Sequence, residues 1–176
     1  MLDLLILNGH VIDPLNEIDE IKPIAVYNGK ITEYEEGEKA KHTINAAGRY
    51  VFPGLIDAHA HMFAEGTDIG IYPDIVYLPT GVTSAIDFSA GVSNYRIFRS
   101  AVVERSKVTI KSFLQMCSAG LVTSSYHENI DPKYFNPEKI SKIYNENSDN
   151  IIGLKIRQSE ELAMGMGIKP LKTTVA

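Results

Sequence analysis

The sequence predicts an α/β protein, a parallel sheet or the wall of a barrel that follows a short all-β region, and three observations carry the prediction. After residue 52, apolar strand-like runs alternate with helix-like stretches, one pair in about thirty residues, which sets strands parallel with crossovers packed on the sheet. Before residue 52 the runs are short and are broken by turn dipeptides. At the junction stands PGLIDAHAH, residues 53–61, where Asp57, His59 and His61 fall at alternate positions. Residues two apart project the same way from a strand and diverge on a helix, so this spacing asks for a strand.

In the first region, LLILNGHVID and PIAVYNGKITEYEE each hold an Asn-Gly pair, Asn8-Gly9 and Asn28-Gly29. Such pairs accept the positive φ angles of two-residue hairpin turns, so two hairpins are expected. The charged run EYEEGEKAKH reads as a solvated loop, and His10 and His42, without partners at ligand spacing, read as structural or surface residues. In the second region strands are expected at 51–58, 82–88, 109–116 and 151–157, the first buried among Val51, Phe52, Leu55 and Ile56. Helices are expected near 72–79, 94–106 and 137–147, with another starting near 169. Asn136-Pro137-Glu138 is an N-cap followed by proline in the first turn, and Lys169-Pro170 opens the last helix. The six residues after Pro170 are fewer than a covering helix needs, so the chain is expected to stop within an element.

Composition narrows the function. With 44% hydrophobic and 22% charged residues, 176 residues make one domain, or one and a smaller second. A net charge of −5 and the lack of a basic stripe speak against a nucleic-acid partner. No apolar run approaches the roughly eighteen residues of a membrane span, and MLDLLILNGH has no basic start, so no membrane partner and a cytoplasmic location are expected. The single Cys117 excludes an internal disulfide and a CxxC zinc site, and reads as a small buried residue.

The chemistry lies in two strands. Two neutral imidazoles at a strand end can hold one metal ion, and a solvated or hydrogen-bonded pair is the alternative. In NIIGLKIRQ, Ile152, Leu154 and Ile156 share one face, and Gly153, Lys155 and Arg157 the other. A lysine on such a strand either snorkels to solvent or, when desolvated, becomes a neutral amine that can take up carbon dioxide. The resulting carbamate is an anion with two oxygen donors, able to bridge two ions.

VFPGLIDAHAH, TGVTSAIDFSAG and GLKIR, in that order and at these separations, resemble the amidohydrolase superfamily of metal-dependent hydrolases, and within it the dihydroorotase-like amidohydrolase/deacetylase branch. The resemblance covers essentially the whole chain. It implies the first half of a TIM (β/α)8 barrel, residues 53–176, after a β-sandwich portion, residues 1–52, in a chain that looks truncated. It further implies that His59 and His61 bind a metal ion and that Lys155 is the bridging carbamate between two divalent ions, zinc being usual. The implied reaction is hydrolysis of an amide C–N bond by metal-bound hydroxide, in a small and acidic cyclic amide or N-acyl substrate, with ester deacetylation as the near alternative. The family's general acid/base aspartate and two further histidine ligands belong to later strands, so the piece is expected to be inactive alone. A non-catalytic truncated remnant is the rival expectation, and the exposed half-barrel surface is expected to favour a homo-oligomer.

Other residues keep two readings. Asp57 either hydrogen-bonds a ligand imidazole or fixes the strand end, and Asp87 reads chiefly as structural support. Arg157 and Ser159 are candidates for a substrate carboxylate, against an ion pair at the rim. His127 reads as a loop residue, Ser124-Ser125 lack a nucleophile elbow, and Gly165-Met166-Gly167 lacks phosphate-loop spacing.

Overall fold

The computed structural model describes residues 1–122 and 126–175, and these divide into two units, Met1–Pro53 and Gly54–Ala176. The first unit holds β1 (Leu2–Leu7), β2 (His10–Asp13), β3 (Ile18–Ile21), β4 (Ile24–Tyr27), β5 (Lys30–Thr32), β6 (Ala40–Asn45) and β7 (Tyr50–Val51). One sheet has the order β5-β4-β1-β6 and the other β3-β2-β7. Leu2, Leu5 and Ala25 form the buried cluster of the first sheet, with Leu7, Tyr34 and Ala40 packed against it.

Asn28 and Gly29, at φ 51° and 72°, close the expected hairpin between β4 and β5. The other Asn-Gly pair corrects the sequence reading. Asn8 has φ 64°, yet β1 pairs with β4 and β6 while β2 pairs with β3 and β7, so the turn carries the chain from one sheet to the other. Gly9 is needed for a different reason: a Cβ there would fall 2.6 Å from Val51 Cγ2. The second hairpin joins β2 to β3 through Pro14–Asn16, where the Asp13 carboxylate accepts from the N–H groups of Leu15 and Asn16. The charged run is also shorter than expected as a loop, because β6 begins at Ala40 and Lys41 is tied to Asp3 at 2.6 Å.

The second unit runs β8 (Leu55–Ala60), α1 (Pro73–Val76), β9 (Val82–Asp87), α2 (Tyr95–Phe98, continued as a wider turn through Val103), β10 (Thr109–Gln115), α3 (Pro137–Glu146), β11 (Ile151–Lys155), α4 (Glu160–Ala163) and α5 (Lys169–Val175). The four long strands are parallel in the order β11-β10-β9-β8. That order follows the chain without reversing, as in a barrel wall; a doubly wound sheet reverses at its switch point.

One face of this sheet is the core. Ala85, Ile110, Leu114 and Ile151 are buried with Tyr95 and Phe98 of α2 and Ile140 and Ile143 of α3. α3 starts where the sequence places it: the Asn136 side chain accepts from the Lys139 N–H at 2.9 Å, with Pro137 in the first turn. A buried polar knot joins these layers, since the Tyr95 hydroxyl and Ser112 hydroxyl both donate to Asn150 Oδ1, at 2.6 and 2.9 Å, and Asn150 Nδ2 donates to the Ile110 carbonyl.

Two strand expectations need correction. The first long strand begins at Leu55 because Val51 belongs to β7, and its opening apolar residues are not buried: Leu55 is 53% and Ile56 69% exposed, as befits an edge strand. In β11 the register shifts opposite Ser112/Phe113, so Ile151 drops into the core at 1% exposure and Ile152 is left 46% exposed. The apolar face therefore starts one residue earlier than simple alternation indicates. The helix over Glu160–Ala163 was not expected from the sequence, and α1 is short because Pro79 lies in the tighter turn Leu78–Thr80 that follows it. No helix among the described residues is long and apolar enough to cross a membrane.

Candidate metal centre

β8 ends at Ala60, so His59 is its penultimate residue and His61 follows directly. Asp57 fixes this end of the strand: its carboxylate accepts from the His59 backbone N–H at 3.0 Å and from the Tyr77 hydroxyl at 2.8 Å. Those two bonds, in that order of weight, hold the Asp57 carboxyl below the ordinary range. Of its two sequence readings, the strand-end role is the one the geometry displays.

The imidazoles of His59 and His61 lie 5.5 Å apart, centre to centre, at 75°. With a metal–nitrogen bond of about 2 Å, a ligand ring centre stands roughly 3 Å from its ion, so this separation fits two rings sharing one ion at a wide angle. Burial, followed by the nearby charges of His59, Lys155 and Arg157, lowers the pKa of His61. A lowered pKa keeps the ring neutral, which is the state that donates a lone pair.

Lys155 reaches the same layer from the far edge of the sheet. Phe88, just past β9, stacks on His59 with centroids 4.1 Å apart and on Phe113 of β10 at 4.8 Å, and the Lys155 Nζ stands 5.3 Å from the centre of the Phe88 ring. All four parallel strands thus contribute to one layer, and the His59 imidazole and the Lys155 amine each lie against the same aromatic ring. Burial lowers the Lys155 pKa; the Glu128 charge opposes this and Arg157 adds to it. Desolvation of this kind favours the neutral amine.

The Arg157 guanidinium stands 3.5 Å from Glu128 and 3.6 Å from Glu161, the rim ion pair that the sequence left as an alternative to a substrate contact. Ser159 heads α4, its carbonyl accepting from the Ala163 N–H at 2.9 Å. Among the described residues, Ser159 Oγ and Glu128 Oε1 are the buried side-chain atoms left without a hydrogen-bond partner. The Glu128 side chain is only 4% exposed, and burial raises its pKa. Unsatisfied buried polar atoms are rare in folded proteins, and both of these fall beside the end of β11.

Asp87 supports the neighbouring strand ends. Its carboxylate accepts from the backbone N–H groups of Met62 at 2.6 Å and Ser89 at 2.7 Å and from the Ser89 hydroxyl at 2.8 Å. Burial raises its pKa to about 6 against these bonds. His127 is exposed, Cys117 is buried, and Ser124-Ser125 lie outside the described residues. Gly165 and Gly167, at φ 83° and 55°, shape a turn before α5.

Among the described residues no three His, Cys, Asp or Glu side chains group around a common point. The donor set is two imidazoles and one lysine, which supplies oxygen ligands only as its carbamate. This set fits the nitrogen side of a divalent-metal site. Sequence reasoning missed Phe88, Ser89 and Glu128. Phe88 was accessible, since it alternates with Ile86 along the strand; Glu128 was not, because its place depends on how a loop folds back.

No family model matches the chain. A deacetylase of Agrobacterium fabrum is 38% identical over 131 residues, 73% of this chain and 32% of the relative. A crystal structure of a dihydroorotase superposes with a TM-score of 0.87 at 31% identity, over 97% of this chain and 46% of that one. A crystal structure of an adenine deaminase gives 0.82 at 28%, over 99% and 46%. The chain therefore spans between a third and a half of the length of these relatives, and it belongs to the amidohydrolase superfamily, with four consecutive βα units of that barrel fold. Within the superfamily it stands with the dihydroorotases and deacetylases.

Proposed function

We propose that this chain supplies the first half of the metal-binding floor of a hydrolase that cleaves an amide C–N bond in a small cyclic amide or N-acyl substrate. The observation that supports this reading above the others is the single layer in which His59 and Lys155 both lie against Phe88. His59 and His61 would hold the first of two divalent ions, zinc being the usual ion of the family although manganese, iron or nickel would also accept these donors, and Lys155 as its carbamate would link the second. Bound there, the ions supply Lewis-acid polarisation of an acyl group and lower the pKa of water. The residues of this chain hold and orient: Asp57 fixes the strand end, Phe88 gives the site a dry wall, and Arg157 with Glu128 closes the rim. Because Arg157 already faces two carboxylates, an acidic substrate would have to displace one of them.

A second reading, removal of an acetyl group from an ester, draws on the similarity to the Agrobacterium fabrum deacetylase, whose name specifies the acetyl group and not the bond that holds it. The same two imidazoles and lysine serve either bond. Two imidazoles and one carbamate leave both ions short of ligands, so the 176-residue chain by itself is expected to show no turnover.

Equilibrium dialysis with zinc tests the metal assignment. The unaltered chain is expected to take up zinc and the His59→Ala/His61→Ala variant to lose at least about tenfold in affinity, the size of losing a ligand interaction. Equal uptake by both would remove these histidines from any site. Intact-mass measurement at saturating zinc and bicarbonate reads Lys155 separately, and an unmodified lysine under those conditions would end its bridging role.

A further inference from the structure

We infer that Ser89, anchored by Asp87, selects the tautomer of His61 that carries its proton on Nδ1 and so leaves Nε2 free as a donor; this rests on the metal reading for its purpose but not for its geometry. The Ser89 Oγ lies 2.8 Å from Asp87 Oδ2 and 3.4 Å from His61 Nδ1. A serine hydroxyl has one proton to give and lone pairs to receive with. Asp87 Oδ2 already accepts the Met62 N–H, and an ionised carboxylate can only accept, so the hydroxyl proton points at Asp87. Toward His61 the serine oxygen is then left as an acceptor, which requires Nδ1–H on the ring.

The serine cannot easily turn away. It is fully buried, its N–H is held by Asp87 Oδ1 at 2.7 Å, and its carbonyl accepts from the Leu121 N–H at 2.9 Å. The Gln115 side chain donates to the Phe88 carbonyl at 2.8 Å, and the Gln115 N–H to the Ala90 carbonyl at 2.9 Å, so the backbone on either side of Ser89 is pinned as well. Asp87, Ser89 and His61 thereby form a chain of acceptance running from strand end to ring, with Asp87 and Ser89 as positioning residues. Histidine ligands of metals ordinarily have their second nitrogen fixed by such a partner. His59 shows a different support, an aromatic face from Phe88.

The test is NMR of the imidazole nitrogens in the isotope-labelled 176-residue chain without metal, at a pH where the rings are neutral, with exposed His42 as internal control. His61 is expected to show the Nδ1–H tautomer in excess. Ser89→Ala should move the tautomer ratio by about fivefold toward Nε2–H, the effect of losing one hydrogen bond, and Ser89→Thr should restore it. A wild-type ring protonated on Nε2, or an Nδ1–H preference unchanged in Ser89→Ala, would overturn the inference. Dispersed amide spectra identical outside the β8 and β9 ends establish that each variant is folded. Zinc added afterwards reads the other proposal: signals of His59 and His61 unmoved by zinc, with the tautomer as inferred, would defeat the metal reading and leave this one standing.

Discussion

The two units of this chain solve the same problem, covering a β-sheet, with very different means. In Met1–Pro53 the buried apolar residues are Leu2, Leu5, Val11, Ala25 and Ala46, and much of what the strands display is exposed, Ile31 at 74% and Tyr50 at 64% among them. In Gly54–Ala176 each crossover lays a helix on the sheet, and Tyr95, Phe98 and Leu114 are wholly withdrawn from water. Apolar area removed from water is the main favourable term in folding, so the second unit is the one able to hold side chains in fixed places. The candidate site residues His59, His61 and Lys155 lie there.

The largest expected effect would break that contrast if it failed. Phe98→Ala in the second unit should cost about 3–5 kcal/mol, and Leu5→Ala in the first about 2–3 kcal/mol, by chemical denaturation followed with hydrogen exchange at amides of each unit. Equal losses would mean the two cores are equally constraining. Next comes pH. Asp87 has its folded pKa raised from 3.8 to about 6, so the folded state keeps the proton longer than the unfolded chain does. Its contribution is therefore fully present below about pH 4 and is lost as pH rises through 6, an effect of about 3 kcal/mol on the second unit. Protection of Leu114 should fall over that window and the fall should vanish in Asp87→Asn, while amides of β1 show neither.

Two glycines sharpen the comparison at smaller scale. Gly120 has φ 61° and a Cβ there would fall 2.1 Å from the Ser89 carbonyl oxygen; Gly29 has φ 72° with open space around it. Gly120→Ala should cost about 2 kcal/mol or more, strain and backbone displacement together, whereas Gly29→Ala should cost about 1 kcal/mol for the dihedral alone. Matching losses at the two positions, read from denaturation midpoints, would show that the crowding at Gly120 relaxes freely.

Much of this was legible in the residues. The spacing of His59 and His61, the alternation of strands and helices, and the cap at Asn136 are local signals, and each element they announce is present. Other features depend on partners distant in sequence. The Asn8-Gly9 turn reads as a hairpin until β1 and β2 are seen to join different sheets, and the Ile151/Ile152 exchange follows from a register shift that no periodicity records. Ser89 gave no signal because its meaning lies in a contact with His61, twenty-eight positions away. Glu128 is a carboxylate in a polar loop, and only the fold hides it from water.

The interlock of Gly91 and Gly120 carries one last consequence. A Cβ on Gly91 would press 2.2 Å from the Cys117 carbonyl oxygen, while one on Gly120 would press 2.6 Å from the Gly91 amide nitrogen, so the segments leaving β9 and β10 thread past each other with no room to spare. Neither can gain bulk or length without the other giving way. A substitution in either segment is therefore felt by the other and, through the Ser89 carbonyl that crowds Gly120, by the residue that touches the His61 ring.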